Sequence, residues 1–221
     1  MIVLQEISKK FNSGKTKLDA LINVNIKIKE GEFVALTGPS GSGKTTLLNI
    51  IGGLDSPTKG KVLINDFDLK HMNDDELSSY RNKQIGFIFQ EFHLQPFLNV
   101  RKNILLPTLF NGHTHDVEAY ADELLKEVKL VKKSHSKANE LSGGEKQRTA
   151  IARALINKPK IIIADEPTGN LDQETGEAII NLLKNLQKTH NITLIIATHD
   201  KEIARLAERV IHIEDGVIKR H

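Results

Sequence analysis

The sequence predicts an α/β protein. Its expected parts are a core of parallel strands alternating with helices, an N-terminal antiparallel β subdomain, and an inserted helical subdomain. Three observations predict it. Ile161-Ile162-Ile163-Ala164 and Leu194-Ile195-Ile196-Ala197 are continuous apolar runs, the pattern of strands buried on both faces of a parallel sheet. Between them, Ile179, Leu182, Leu183 and Leu186 repeat at i, i+3, i+4, i+7, so Glu174 to Gln187 reads as an amphipathic helix. And Glu32-Phe33-Val34-Ala35-Leu36-Thr37 reads as a buried strand that runs through a glycine-rich loop into the apolar, helix-like stretch Thr46-Leu47-Leu48-Asn49-Ile50-Ile51.

In chain order, strand character falls at 2–8, 21–28, 32–36, 61–64, 85–89, 160–164, 193–197, 209–213 and 217–219. The early strands read as antiparallel and hairpin-linked, with Glu30-Gly31 and Ser56-Pro57-Thr58-Lys59-Gly60 as turn chemistry. The later ones alternate with helices, which implies parallel pairing. Asp116 to Lys129 is a second amphipathic helix, with Leu124, Leu125 and Val128 as its stripe. Residues 73–137 read as mainly helical and, with the segment around Ser142, as a subdomain inserted in a single domain spanning 1–221.

Composition bounds the function. The 221 residues suffice for a core without covalent staples. Hydrophobic and charged contents of 39% and 27% are ordinary for a globular domain. The net charge of +3 comes from scattered Lys and Arg, so no nucleic-acid partner is expected. The absence of cysteine removes disulfides, thiolate metal sites and cysteine nucleophiles. The N-terminus turns polar after four residues, which is not a signal-peptide core. Apolar runs fall short of the roughly 18–20 residues of a membrane helix, so any membrane role is expected to come through a partner chain. Eight of the nine histidines, His113 and His115 among them, read as surface residues.

Gly38-Pro39-Ser40-Gly41-Ser42-Gly43-Lys44-Thr45 fits G-x-x-x-x-G-K-[ST], the phosphate-cradling P-loop, in its strand–loop–helix setting. Glycines let the backbone approach phosphate closely and adopt φ > 0. Successive N–H groups and the positive end of the following helix then face the anion. Lys44 supplies a mobile charge for the β- and γ-phosphates, and Thr45 a hydroxyl for Mg²⁺. ATP and Mg²⁺ are therefore the expected ligands.

Two further segments complete the pattern. Lys160 to Ala164 is an apolar strand ending in Asp165-Glu166. In a P-loop core the first acid at such a strand end holds Mg²⁺ through its water shell, and the second stands where a water faces the γ-phosphate. Leu141-Ser142-Gly143-Gly144-Glu145-Lys146-Gln147-Arg148 begins a helix, with Ser142 as N-cap and Glu145 completing a capping box. Two glycines in a first turn cost about 1 kcal/mol each relative to Ala. Their presence suggests close approach of an anion to the backbone amides.

With these residues in view, the sequence resembles the nucleotide-binding domain of an ABC ATPase. The carriers are the P-loop, the L-S-G-G-x-x-x-R signature at Leu141 to Arg148, the strand ending in Asp165-Glu166, and Asn170-Leu171-Asp172. The resemblance implies a P-loop NTPase core. It implies nucleotide contacts from Gly38, Pro39, Ser40, Gly41, Ser42, Gly43, Lys44, Thr45 and Thr46. It further implies adenine stacking by Phe11, where the family usually has Tyr, and phosphate contacts from Ser142, Gly143 and Gly144 of a second copy. Catalytic roles fall on Glu166, His199 (the γ-phosphate switch), Gln90 and Lys44, and Mg²⁺ ligation on Thr45, Gln90 and Asp165. The signature's fifth residue is Glu145 rather than Gln, and the capping box turns its charge back toward the Ser142 N–H.

Phe89-Gln90-Glu91-Phe92-His93-Leu94-Gln95-Pro96, Asn103-Ile104-Leu105-Leu106-Pro107 and Asp165-Glu166-Pro167-Thr168-Gly169-Asn170-Leu171-Asp172 resemble the macrolide-exporter and lipoprotein-release group. That group implies an ATP-sandwich dimer at the cytoplasmic face of the membrane. It implies a permease subunit with four helices and an extracytoplasmic domain, and export or extraction of peptides, lipoproteins or antibiotics. An ATPase of a non-transporting membrane complex, in cell division or antibiotic sensing, is the alternative. The soluble ATPases of DNA repair and translation fit less well, since they carry coiled-coil insertions or a second cassette.

Overall fold

A computed structural model describes residues 1–13, 16–110 and 116–219; His113 and His115 lie outside them. In chain order the strands and α-helices are β1 (Ile2–Ser13), β2 (Thr16–Ile28), β3 (Phe33–Thr37), α1 (Lys44–Ile51), β4 (Lys59–Ile64), β5 (Phe67–Asp68), α2 (Asp74–Gln84), β6 (Ile85–Phe89), α3 (Val100–Leu105), α4 (Asp116–Glu127), α5 (Gly143–Leu155), β7 (Ile161–Asp165), α6 (Gln173–His190), β8 (Thr193–Ala197), α7 (Lys201–Arg205), β9 (Arg209–Glu214) and β10 (Val217–Lys219). The chain divides into two compact units, Met1–Arg81 with Thr193–His221, and Asn82–Ile192.

The first unit holds an antiparallel sheet in the order β2-β1-β4-β5 and a mainly parallel array in the order β10-β9-β3-β8. β3 pairs parallel to β8 through Phe33↔Leu194 to Leu36↔Ala197, and to β9 through Val34↔Arg209 to Thr37↔His212. The apolar runs of β3 and β8 are buried along their length, as two-face burial requires. α1 buries Leu47, Leu48, Ile50 and Ile51 and packs on β8.

The turn at Glu30-Gly31 does not close a hairpin. Gly31 takes φ 74 there, but the chain leaves β2 for β3, which pairs only in parallel, in the other sheet. Turn chemistry sets a local reversal; which strand pairs next is decided by where an all-apolar strand can bury both faces. Lys59 and Gly60 likewise belong to β4 rather than to a turn. Gly60 has φ 93, and a Cβ there would lie 2.6 Å from Glu6 O, beside the β1–β4 register shift between Gln5 and Ser8. It therefore marks a bulge. β5 was not among the expected strands. Asn65 and Asp66 both have positive φ (48 and 69) and join Ile64 to its partner Phe67, the two-residue hairpin that such residues favour.

In the second unit β6 and β7 pair parallel, Ile85↔Ile161 to Phe89↔Asp165. Gly86 lets α5 approach β6, since a Cβ there would stand 2.5 Å from Ala154 O. α6 begins at the N-cap Asp172, whose side chain accepts from Thr175 N, and ends at Asn191 in the left-handed conformation. It is longer at both ends than its apolar stripe, because caps rather than periodicity set its limits. Buried Asn103 on α3 donates to Gln95 O, Leu98 O and Asn99 O and accepts from Gln95 N, which fixes the loop after Gln90. Arg101 binds Glu118 and Asp122, tying α3 to α4.

Candidate functional site

β3 delivers the chain into the glycine loop, and α1 receives it with no side-chain cap, its N-cap Gly43 at φ 103. The helix's first N–H groups are thus left to the loop's concavity, the arrangement that suits an anion. The glycines divide by reason. A Cβ on Gly38 would overlap Ile213 O, and one on Gly43 would overlap Ala20 O, so both serve close packing of the loop on its own protein. Gly41, at φ 76, has nothing among the described residues within 4 Å of a Cβ position; there the glycine serves the backbone conformation.

Lys44 is 6% exposed. Its ammonium donates to Gly38 O and Pro39 O, both at 2.9 Å, across the mouth of the loop. Ser42 is 3% exposed, and its buried Oγ has no hydrogen-bond partner among the described residues. An orphaned hydroxyl beside a buried cation and uncapped amides fits the oxygens of a phosphate chain. Thr45 is exposed and Thr46 half-buried at the start of α1.

The β9–β10 hairpin buttresses the loop. Gly216 N donates to Ser42 O at 3.1 Å, and Gly216 O accepts from Ile22 N at 2.8 Å. Thr37 Oγ1 and His212 Nδ1 lie 3.1 Å apart, one residue before Gly38. Sequence reasoning missed Gly216 and His212; a strand pair so far along the chain carries no motif that points back to the loop.

His199 follows β8. Thr198 N donates to Leu36 O at 3.0 Å, so the strand end that carries His199 lies beside the strand end that opens the P-loop. Thr198 Oγ1 accepts from Asp200 N, and Asp200 caps α7 by accepting from Glu202 N, which fixes the turn around the exposed His199. Phe11 on β1 is 41% exposed, with the Lys9 ammonium 5.0 Å from its ring centre. A ring presented this way has a π-face available for stacking.

The second unit gathers Gln90, Asp165, Glu166 and the signature. The Phe89↔Asp165 pairing places Gln90 and Glu166 one step past neighbouring strand ends. Glu166 has φ 46 and precedes Pro167, a conformation that costs of order 1–3 kcal/mol for a residue with a Cβ. Its carbonyl accepts from Gly169 N at 3.0 Å, closing a turn that returns the chain over Gln90. Strain of this kind concentrates where a side chain must be aimed.

At the signature, Ser142 Oγ accepts from Glu145 N at 3.3 Å and Glu145 Oε2 accepts from Ser142 N at 2.9 Å. That is the expected capping box. The Ser142 N–H, and then Lys133 at 3.5 Å, hold the Glu145 carboxyl below the usual glutamate range. The two glycines also have a packing reason that the sequence did not disclose. A Cβ on Gly144 would lie 2.7 Å from Thr175 Cγ2, and one on Gly143 would lie 3.1 Å from Leu171 Cδ2. Gln147, fully buried, donates to Pro167 O at 2.6 Å and so joins the signature helix to the Glu166 turn. In sequence Gln147 stands only as part of the motif; its signal is a polar residue on a helix's buried face.

The Thr45 hydroxyl, the Gln90 amide oxygen and the Asp165 carboxylate are each hard oxygen donors of the kind that suits Mg²⁺. Among the described residues no group of three or more His, Cys, Asp or Glu stands ready to hold a metal, and Mg²⁺ commonly keeps several waters beside one or two carboxylates. No helix of the described residues is long and apolar enough to cross a membrane.

Comparison with known proteins matches residues 21–169 to the ABC transporter family. The chain is 46% identical to the macrolide export ATP-binding/permease protein MacB of Bdellovibrio bacteriovorus, over 99% of this chain and 33% of that protein. It is 40% identical to the lipoprotein-releasing system ATP-binding protein LolD of Acinetobacter baylyi, over 100% and 98%. Among solved structures, the dimeric post-hydrolysis state of the ATP-binding cassette MJ0796 with ADP and Pi aligns with a TM-score of 0.91 at 46% identity, over 100% of this chain and 97% of that one.

Proposed function

Because the chain belongs to the ABC transporter family, we propose that it is the ATP-binding and ATP-hydrolysing subunit of a membrane exporter or extractor of peptides, lipoproteins or antibiotics. Residues 1–221 act as one ATPase domain, with 73–137 and the signature region as its helical portion. The observation that carries the reading is the phosphate cradle: a buried Lys44 ammonium held by two loop carbonyls, with the Ser42 hydroxyl orphaned among the described residues.

In this reading Lys44 exchanges its carbonyl partners for the β- and γ-phosphate oxygens, while Ser42, Thr46 and the amides of residues 39–45 take the rest of the chain of phosphates. Phe11 stacks on adenine. Glu166 accepts a hydrogen bond from the attacking water and orients it in line with the γ-phosphate, and His199 donates to a γ-phosphate oxygen. Thr45, Gln90 and Asp165 would hold Mg²⁺, which would offset charge that develops in transfer. No single chain supplies an arginine finger by sequence. Ser142, Gly143 and Gly144 of a second copy, at the positive start of α5, complete the charge stabilisation in an ATP-sandwich dimer.

The chain works at the cytoplasmic face of the membrane on a permease with four helices and an extracytoplasmic domain. Exposed Phe97 (80%) lies in the loop after Gln90 and suits a socket for a permease segment. Support for this group comes from the LolD relative, matched over nearly its whole length, and from the MacB relative.

The test is Lys44→Ala. Fluorescent-nucleotide titration and phosphate release are expected to show binding weakened and turnover reduced by about 10²–10³-fold, the cost of removing a preorganised electrostatic contact. Turnover equal to the parent's overturns the assignment.

A further inference from the structure

Resting on the role assigned to Gln90 above, we propose that Asn170 and Gly169 are positioning residues. They orient the Gln90 side-chain amide so that its oxygen, not its N–H₂, is offered to metal or water.

The argument starts from a backbone carbonyl, which can only accept. Asn170 Nδ2 donates to Gln90 O at 3.0 Å, so the nitrogen end of the Asn170 amide is settled. Its other end, Oδ1, is then an acceptor, and it faces Gln90 Nε2 at 3.2 Å. Only a donor satisfies it. The Gln90 amide is thereby locked with nitrogen toward Asn170 and oxygen on the face the clamp does not use. A glutamine in solvent has no such preference between its two ends.

Gly169 makes room for this arrangement. A Cβ there would lie 2.7 Å from Gln90 Nε2 and 2.9 Å from Cδ, inside any real contact. The amide therefore packs against a bare Cα. Both residues reach Gln90 because the strained Glu166 and the Glu166 O to Gly169 N bond turn the chain back over the end of β6. The turn that starts at the residue that aims the water thus also orients the residue that offers an oxygen to the metal.

The clamp predicts a specific pattern. Partners that orient a metal-binding group typically contribute 10–100-fold in metal affinity without touching the metal. In full-length protein, Asn170→Ala and Gly169→Ala are each expected to raise the Mg²⁺ concentration for half-maximal ATP hydrolysis at least tenfold. ATP binding measured in EDTA should stay unchanged. A readout independent of turnover is the side-chain amide resonance pair of Gln90 in ¹⁵N-labelled protein, identified by its loss in Gln90→Ala. It should be shifted and exchange faster with solvent in both variants.

In a Gln90→Ala background neither substitution should raise the Mg²⁺ requirement further. The proposal is overturned if the Gln90 amide signal is unmoved by Asn170→Ala, or if the Mg²⁺ effect persists in the absence of the Gln90 side chain. If Gln90→Ala alone leaves turnover and Mg²⁺ dependence as in the parent while the amide signal still responds, the role of Gln90 is what fails, and the functional claim for Asn170 falls with it.

Discussion

Glu145 places a negative charge in a segment that the family reading directs at phosphate, and the capping box answers the conflict. Its carboxylate turns to the Ser142 N–H and to Lys133 rather than outward. Because the folded-state pKa is depressed, the contribution is present above the ordinary glutamate value of about 4.3 and is lost as pH falls through the folded value. Glu145→Gln keeps the capping geometry but does not titrate. Urea melts of the two proteins should therefore differ at neutral pH and converge progressively under acid; a difference that grows on acidification contradicts the assigned contact. Ser142→Ala, which removes the cap acceptor, is expected to cost about 1 kcal/mol, read from the same melts.

At the scale of elements, the P-loop is shaped by more than its own residues. The turn between β9 and β10 holds Ser42 O and Ile22 N through one glycine. Gly216 has φ 74, and a Cβ there would stand 2.8 Å from Ala20 O. Gly216→Val is expected to destabilise the fold by about 1–3 kcal/mol and to weaken ATP binding measurably at temperatures where the variant remains folded. Nucleotide affinity equal to the parent's would show that the hairpin is mere packing. In the second unit the segment 166–172 plays a comparable part. Gln147 anchors it through Pro167, Gly143 packs against Leu171, and Gln90 clasps Asn170. One turn thereby touches the signature helix and the strand end that bears Gln90.

For the whole molecule, the central expectation is association driven by nucleotide. If the signature of one copy completes the phosphate site of another, slowing hydrolysis should make the pair long-lived. Glu166→Gln should bind ATP and elute as a dimer in size-exclusion chromatography with ATP, and as a monomer with ADP. A monomer under both conditions sinks the composite site. Much of this was legible in sequence because it is local chemistry: φ-permissive glycines, a cation six residues into a loop, a capping box with its three-residue spacing, apolar runs long enough to be buried strands.

The residues themselves determined the nucleotide chemistry, the strands of the parallel core and the signature helix's cap, since each depends on neighbours within a turn or a strand. Only the tertiary structure decided that Glu30-Gly31 leads into another sheet, that Gly38, Gly43, Gly143 and Gly144 are bare because protein packs against them, and that Asn170 grips Gln90. Those depend on atoms brought close by folding from distant positions in the chain, and spacing along a chain carries no record of such distances.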